Sequence, residues 1–319
     1  MQRSSTREGS GRAIAARAGR FASGLLPVVA AIALGGCSVR QMAIDTLGDT
    51  LASGGSVYEA DADVALVGDA LPFSLKLLDS LIAESPRHRG LLTAGSRAYL
   101  LYAYGFVGFE AEQLARDDVD RANVVRARAH NLSMRAHRYA MRGLEGRHPG
   151  LAARLATDPG AAVLAVSDAQ DVELLHAAAA SLGLAIGHAK GDAAMLVRLP
   201  EVDALLARAL VLDEGWNDGA LHELAVSWRA ARPGIVDRAA VDTHYARALA
   251  LSRGTRAALF VAYAEAAAVR EQDRVLFESL LARALAVDVE ARPQEQLQDA
   301  LAKRRARWLA AHADRLFVE

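Results

Sequence analysis

The chain has 319 residues, with 37 Lys+Arg against 38 Asp+Glu and a formal charge of −1. That balance leaves no electrostatic footprint for a nucleic-acid surface, which excludes nucleic acid as an expected partner. Hydrophobic residues make up 52% of the sequence but aromatic residues only 5%, so alanine and leucine must carry the core, which favours helices packed closely through small side chains.

Residues 1–36 read as an export signal. Arg3, Arg7, Arg12, Arg17 and Arg20 form a basic start, and Phe21 to Leu34 an apolar run of 14 residues. That run is too short to span about 30 Å of hydrocarbon as a helix. Leu34-Gly35-Gly36-Cys37 follows, and Cys37 is the only cysteine. The small residues admit a peptidase, and the thiol can be acylated before cleavage. The pattern resembles the lipobox of bacterial lipoproteins, which makes Cys37 the expected lipid anchor. The bland alternative is a signal cleaved near a stray cysteine. Without residues 1–36, 32 Lys+Arg face 37 Asp+Glu, and no second apolar run approaches 18 residues. Lipid alone is therefore expected to hold the protein to a membrane. Ser38, where an aspartate could stand, resembles the sorting pattern of outer-membrane lipoproteins, so the expected location is periplasm-facing at the outer membrane.

Residues 37–60 are expected to be a lipidated N-terminus and tether, punctuated by Ser53-Gly54-Gly55-Ser56. Residues 61–319 are expected to form one helical repeat domain, because apolar residues recur there at helical spacing and nothing alternates as a strand. Ser85-Pro86, His148-Pro149-Gly150, Asp158-Pro159-Gly160, Arg232-Pro233-Gly234 and Arg292-Pro293 break it into elements. Asp168 and Asp192 stand where N-caps belong. The expected fold is all-α, with about ten to thirteen helices. One phrase returns: Leu205-Leu206-Ala207-Arg208-Ala209-Leu210, Tyr245-Ala246-Arg247-Ala248-Leu249 and Leu281-Ala282-Arg283-Ala284-Leu285. The anchors Ile82, Leu144, Leu210, Leu249 and Leu285 lie 62, 66, 39 and 36 residues apart. Steps near one or two multiples of the mid-thirties predict degenerate tetratricopeptide-like helix pairs stacked into a solenoid or bundle. The alternative is an alanine-leucine bundle whose likeness is compositional.

No catalytic constellation stands out, and neither a cofactor nor a metal is expected. His222-Glu223 begins like a zinc-protease motif, but Val226 occupies the place of the second histidine. Nucleophile-elbow and phosphate-loop patterns are missing. His130 and His137, flanked by arginines, read as a solvated helix face. The aromatic cluster Tyr99, Tyr102, Tyr104, Phe106 and Phe109 reads as a core stripe or, alternatively, as the wall of a cleft. Tyr263-Ala264-Glu265 precedes a dense polar turn, Arg270-Glu271-Gln272-Asp273-Arg274, read as the cap of a helix starting at Gln272.

Several phrases together resemble the T-component family of tripartite ATP-independent periplasmic (TRAP) transporters. They are Asp69-Ala70-Leu71-Pro72-Phe73 with Lys76-Leu77-Leu78, Tyr102-Ala103-Tyr104, Asp218-Gly219-Ala220-Leu221-His222-Glu223, Tyr263-Ala264-Glu265 with Glu271-Gln272-Asp273-Arg274, and Arg304-Arg305-Ala306-Arg307-Trp308-Leu309 with Asp314-Arg315-Leu316-Phe317. The resemblance implies a non-enzymatic, trimeric, periplasm-facing lipoprotein that docks the solute-binding P-component and holds or passes a small apolar solute. The cleft residues expected on this basis are Tyr99, Tyr102, Phe106, Trp216, His222, Tyr263 and Glu265. The alternative function is a tetratricopeptide-like scaffold for envelope protein assembly, with no solute.

Overall fold

The computed structural model describes residues 57–318 except 190, 233 and 235, together with Met42, Thr46 and residues 48–50. The expected signal segment and the expected anchor residue Cys37 lie outside the described residues. From Gly48 onward the described residues form one compact unit. Its described part is all-α, with no strand, as the sequence pattern predicts.

The long helices are α1 (Val64–Glu84), α2 (Arg89–Tyr102) and α3 (Val119–Glu145). Two short ones follow, α4 (Leu151–Thr157) and α5 (Pro159–Ala162), then α6 (Val172–His188) and the single turn α7 (Ala193–Leu196). Next come α8 (Leu199–Leu212), α9 (Trp216–Ala231), α10 (Arg238–Ser252), α11 (Ala257–Tyr263), α12 (Arg274–Ala286) and α13 (Gln296–Ala311). Two of these widen into π-helical turns: α2 runs through Ala103–Gly108 into Phe109–Leu114, and α11 through Ala264–Ala268 into Val269–Glu271. Counting each continued helix once gives thirteen among the described residues, the top of the expected range.

Aspartates cap six of these thirteen helices. Asp63, Asp118, Asp192 and Asp237 each accept a hydrogen bond from a first-turn backbone N–H, and Asp168 does the same for the 3₁₀ turn that leads into α6. Such a carboxylate satisfies an orphan donor and meets the positive end of the helix dipole. The cap expected at Gln272 sits one residue later: Asp273 accepts from the Leu276 N–H at 2.8 Å, while Gln272 turns left-handed at φ 57° to end the preceding helix.

The three R-A-L phrases fall in α8, α10 and α12, and each of these helices packs against the next in the chain. At the matched position Ala209, Ala248 and Ala284 are fully buried. The leucines after them stay half-buried, so the alanine marks the helix contact and the leucine its margin.

His130 and His137 do not form a solvated face. His137 Nδ1 donates to the carbonyl of Ala178 at 3.1 Å, and His130 Nδ1 to that of Ala185 at 3.0 Å. The two pairs are each seven residues apart, so two histidines staple α3 to α6 in matched register. With Nδ1 as donor, His137 Nε2 accepts from Arg198 at 2.9 Å. The arginines around these histidines suggested solvent, but the alanine-rich face of α6 covers that side.

Helix α2 packs on α6, α6 on α9, α9 on α11 and α11 on α13. Helix α13 returns to the start: Leu301 fills the space beside Gly105, and the Leu297 N–H donates to the Glu59 carbonyl at 3.0 Å. The helices therefore close a ring, and that ring creates the site.

A central cavity as the candidate site

The ring surrounds a cavity of about 410 Å³, lined from α2, α6, α9, α11 and α13. That volume is in the range of small-molecule pockets. Leu100, Leu101, Leu184, Trp216, Leu224 and Trp228 give it an apolar wall. Much of the α6 wall is small: besides Leu184, Glu173 and His176, that helix lines the space with Ala177, Ala180, Gly183 and Gly187, and a Cβ on Gly187 would meet nothing within 4 Å.

Charged groups ring this apolar space, most of them tied to one another. Arg256 is 2% exposed, donates from Nε to Glu223 at 2.8 Å, and donates from a terminal nitrogen to the Asn217 carbonyl at 3.0 Å. Asn217 begins a run of three left-handed residues, Asn217, Asp218 and Gly219, with φ of 43°, 50° and 86°. Two consecutive non-glycine residues in that region cost of order 1 kcal/mol each. The turn aims the Asn217 carbonyl at Arg256 while its amide donates to Glu295 at 3.0 Å. Burial pushes the Glu295 carboxyl up, against the pull of Arg256 and Arg292. Gly219 is needed for a second reason: a Cβ there would approach the Ala248 Cα to 3.2 Å on α10.

His176 lines the cavity 4.8 Å from the Trp216 ring. Burial, and then the Arg256 charge, pull its pKa down to about 4, so its imidazole is neutral. Tyr104 also lines the cavity, with 52% of its surface uncovered. Its place within the ring of helices, and then Glu265, Glu223 and Glu112, push its hydroxyl up to about 12 against the pull of Arg305. A tyrosine ring left bare inside the ring of helices is surface for a ligand.

The expected cleft residues separate. Trp216 lines the cavity. Glu265 reaches its edge by binding Arg305 through both oxygens at 2.8 and 2.9 Å. Tyr99 is core, donating to Asp79 at 2.9 Å, and Tyr102 stacks on Phe106 at 5.7 Å away from the lining. Tyr263 stacks on Tyr245 at 3.8 Å and donates to Asp242 at 2.7 Å. His222 faces a different, shallow pocket, where its Nδ1 meets His244 Nδ1 at 2.8 Å and its Nε2 meets Glu214 at 3.0 Å. Its chain neighbour Glu223 is the one that faces the cavity. Among the described residues, no three His, Cys, Asp or Glu side chains form a metal-binding group, and no helix is long and apolar enough to cross a membrane. Sequence reasoning missed His176, Trp228, Arg97 and Arg304 as lining residues. Gly183 and Gly187, one helical turn apart, were the readable trace: the first makes room for the Trp228 ring and the second leaves the wall bare.

Fold and site together define an all-α protein with an apolar, charge-rimmed cavity at the centre of its helices. The TRAP transporter T-component family matches residues 60–317, and the chain belongs to that family. A protein of Treponema pallidum (strain Nichols), described as uncharacterized, is 28% identical over 306 residues, covering 89% of this chain and 94% of its own length.

Proposed function

We propose that this T-component is a lipid-anchored, periplasm-facing accessory subunit whose cavity holds a small, largely apolar solute while its degenerate, tetratricopeptide-like helix pairs dock the solute-binding P-component. The observation that carries the reading is the cavity itself. A scaffold without a solute has no need to keep about 410 Å³ of leucine- and tryptophan-lined space free of side chains. Cys37 anchors the chain at the outer membrane, and the assembly is a trimer. Replacing Cys37 by alanine abolishes incorporation of labelled fatty acid.

Gly187→Leu tests the solute. The substitution extends a side chain into open space and improves local helix propensity by about 1 kcal/mol. The expected result is an unchanged or slightly raised melting temperature with solute binding lost, read by quenching of Trp216 and Trp228. Binding that survives in this variant places the solute elsewhere. Docking is tested by titrating the purified chain with the TRAP-type solute-binding proteins of the same organism, and no association with any of them at high micromolar concentration refutes that half of the proposal.

A further inference from the structure

Four arginines line the cavity, and three are matched by carboxylates. Arg97 meets Glu59 at 3.0 Å and Glu173 at 3.3 Å, Arg256 meets Glu223 at 2.8 Å, and Arg305 meets Glu265 at 2.8 Å and Glu112 at 2.7 Å. Arg304 has none: no carboxylate of the described residues lies within 4.0 Å of its guanidinium. It donates to the Gly105 carbonyl in the π-helical turn of α2, and it lies over the rings of Phe109 and Phe106 at 4.8 and 5.3 Å. Its Nε is buried without a partner.

The neighbourhood is built for this approach. Gly105 lets α13 come close, since a Cβ there would stand 2.7 Å from Leu301. Two aromatic faces attract a cation, but by less than desolvating an ion costs. Burial pulls the Arg304 pKa down, but a guanidinium stays protonated in a protein. A cation without a carboxylate partner therefore stands in the wall of a cavity whose other three arginines are each paired.

We propose that Arg304 is the head-group contact of the solute, and that the cavity takes a monocarboxylate with an apolar tail. This rests on the reading of the cavity as a solute site. A guanidinium fork pairs with a carboxylate through two parallel hydrogen bonds, and the tail lies along the leucine and tryptophan wall. A second negative charge on the solute meets Glu59, Glu173, Glu223 and Glu295, which line the same space. A positively charged head meets Arg304.

The test is a head-group series at constant chain length on the purified full chain: octanoate, octanol, octylamine and the dicarboxylate suberate, each below its micelle concentration, with tryptophan quenching as readout. The expected result is octanoate at least tenfold tighter than octanol, with octylamine and suberate weaker still. Arg304→Gln brings octanoate down to the octanol level and leaves octanol unchanged. If that variant fails to fold, by circular dichroism, the order of the four probes on the unaltered chain decides alone. Octanoate no tighter than octanol, suberate equal to octanoate, or a carboxylate preference that survives in Arg304→Gln overturns the inference. Equal binding of octanol and octanoate, both lost in Gly187→Leu, removes the carboxylate contact and keeps the solute site. Binding of none of the four removes both.

Discussion

Arg256→Ala is expected to cost about 3–5 kcal/mol, the loss typical when one member of a buried ion pair is removed. At roughly 2–4 °C per kcal/mol for a domain of this size, the melting temperature falls by roughly 6–20 °C. The side chain is 2% exposed and holds Glu223 and the Asn217 carbonyl at once. Its removal leaves Glu223 without its cation and Glu295 without one of the charges that pull its pKa down. It also frees the left-handed turn at Asn217–Gly219, whose strain the contact helps to hold. The double variant Arg256→Met with Glu223→Leu removes both charges and is expected to recover more than half of the loss. Thermal unfolding of the three proteins decides it. An Arg256→Ala variant within about 1 kcal/mol of the parent sinks the argument, because the pair would then be solvated rather than buried.

Acid is expected to destabilise the protein through His176. Its folded pKa of about 4 lies below the ordinary histidine value of 6.5, so the unfolded chain binds the proton more readily. Stability is then complete above about pH 6.5, declines as the pH falls toward 4, and loses nothing further from this group below that. The shift corresponds to roughly 3 kcal/mol at the acid end. His244, pulled to about 4 by burial and by its neighbour His222, adds a slope of the same sign. His176→Phe keeps an aromatic ring beside Trp216 and removes the proton, so its melting temperature should depend less steeply on pH between 6.5 and 4.5. Parallel pH profiles for the two proteins would show that His176 does not carry the effect.

Much of the fold was legible because its causes are local. Aspartate before an apolar run is a local capping signal, and Asp168 and Asp192 were read as caps from sequence position alone. The R-A-L phrases located three helices and their buried alanines because close helix packing requires a small residue at a fixed place in the turn. The site was less legible. Tyr99, Tyr102 and Phe106 share one stripe, but a stripe does not say whether it faces a cavity or another helix, and here Arg135 and Asp79 cover Tyr99. His222 and Glu223 are adjacent, so they point to different sides of α9; the alanine-scale spacing along that helix could not say which side was the inner one. Arg304 and Arg305 look equivalent in sequence, yet one finds Glu265 and Glu112 and the other finds no carboxylate.

By itself the sequence determined an all-α chain, its helix caps, its repeating phrase and its membership of the T-component family, because each follows from contacts between residues near in sequence or from the order of whole phrases. The tertiary structure decided the cavity. Its wall is assembled from residues as far apart as Glu59 and Arg305. The state of each charge in it, whether Arg256 held by Glu223 or Arg304 left without a carboxylate, depends on which helix closes the ring beside it.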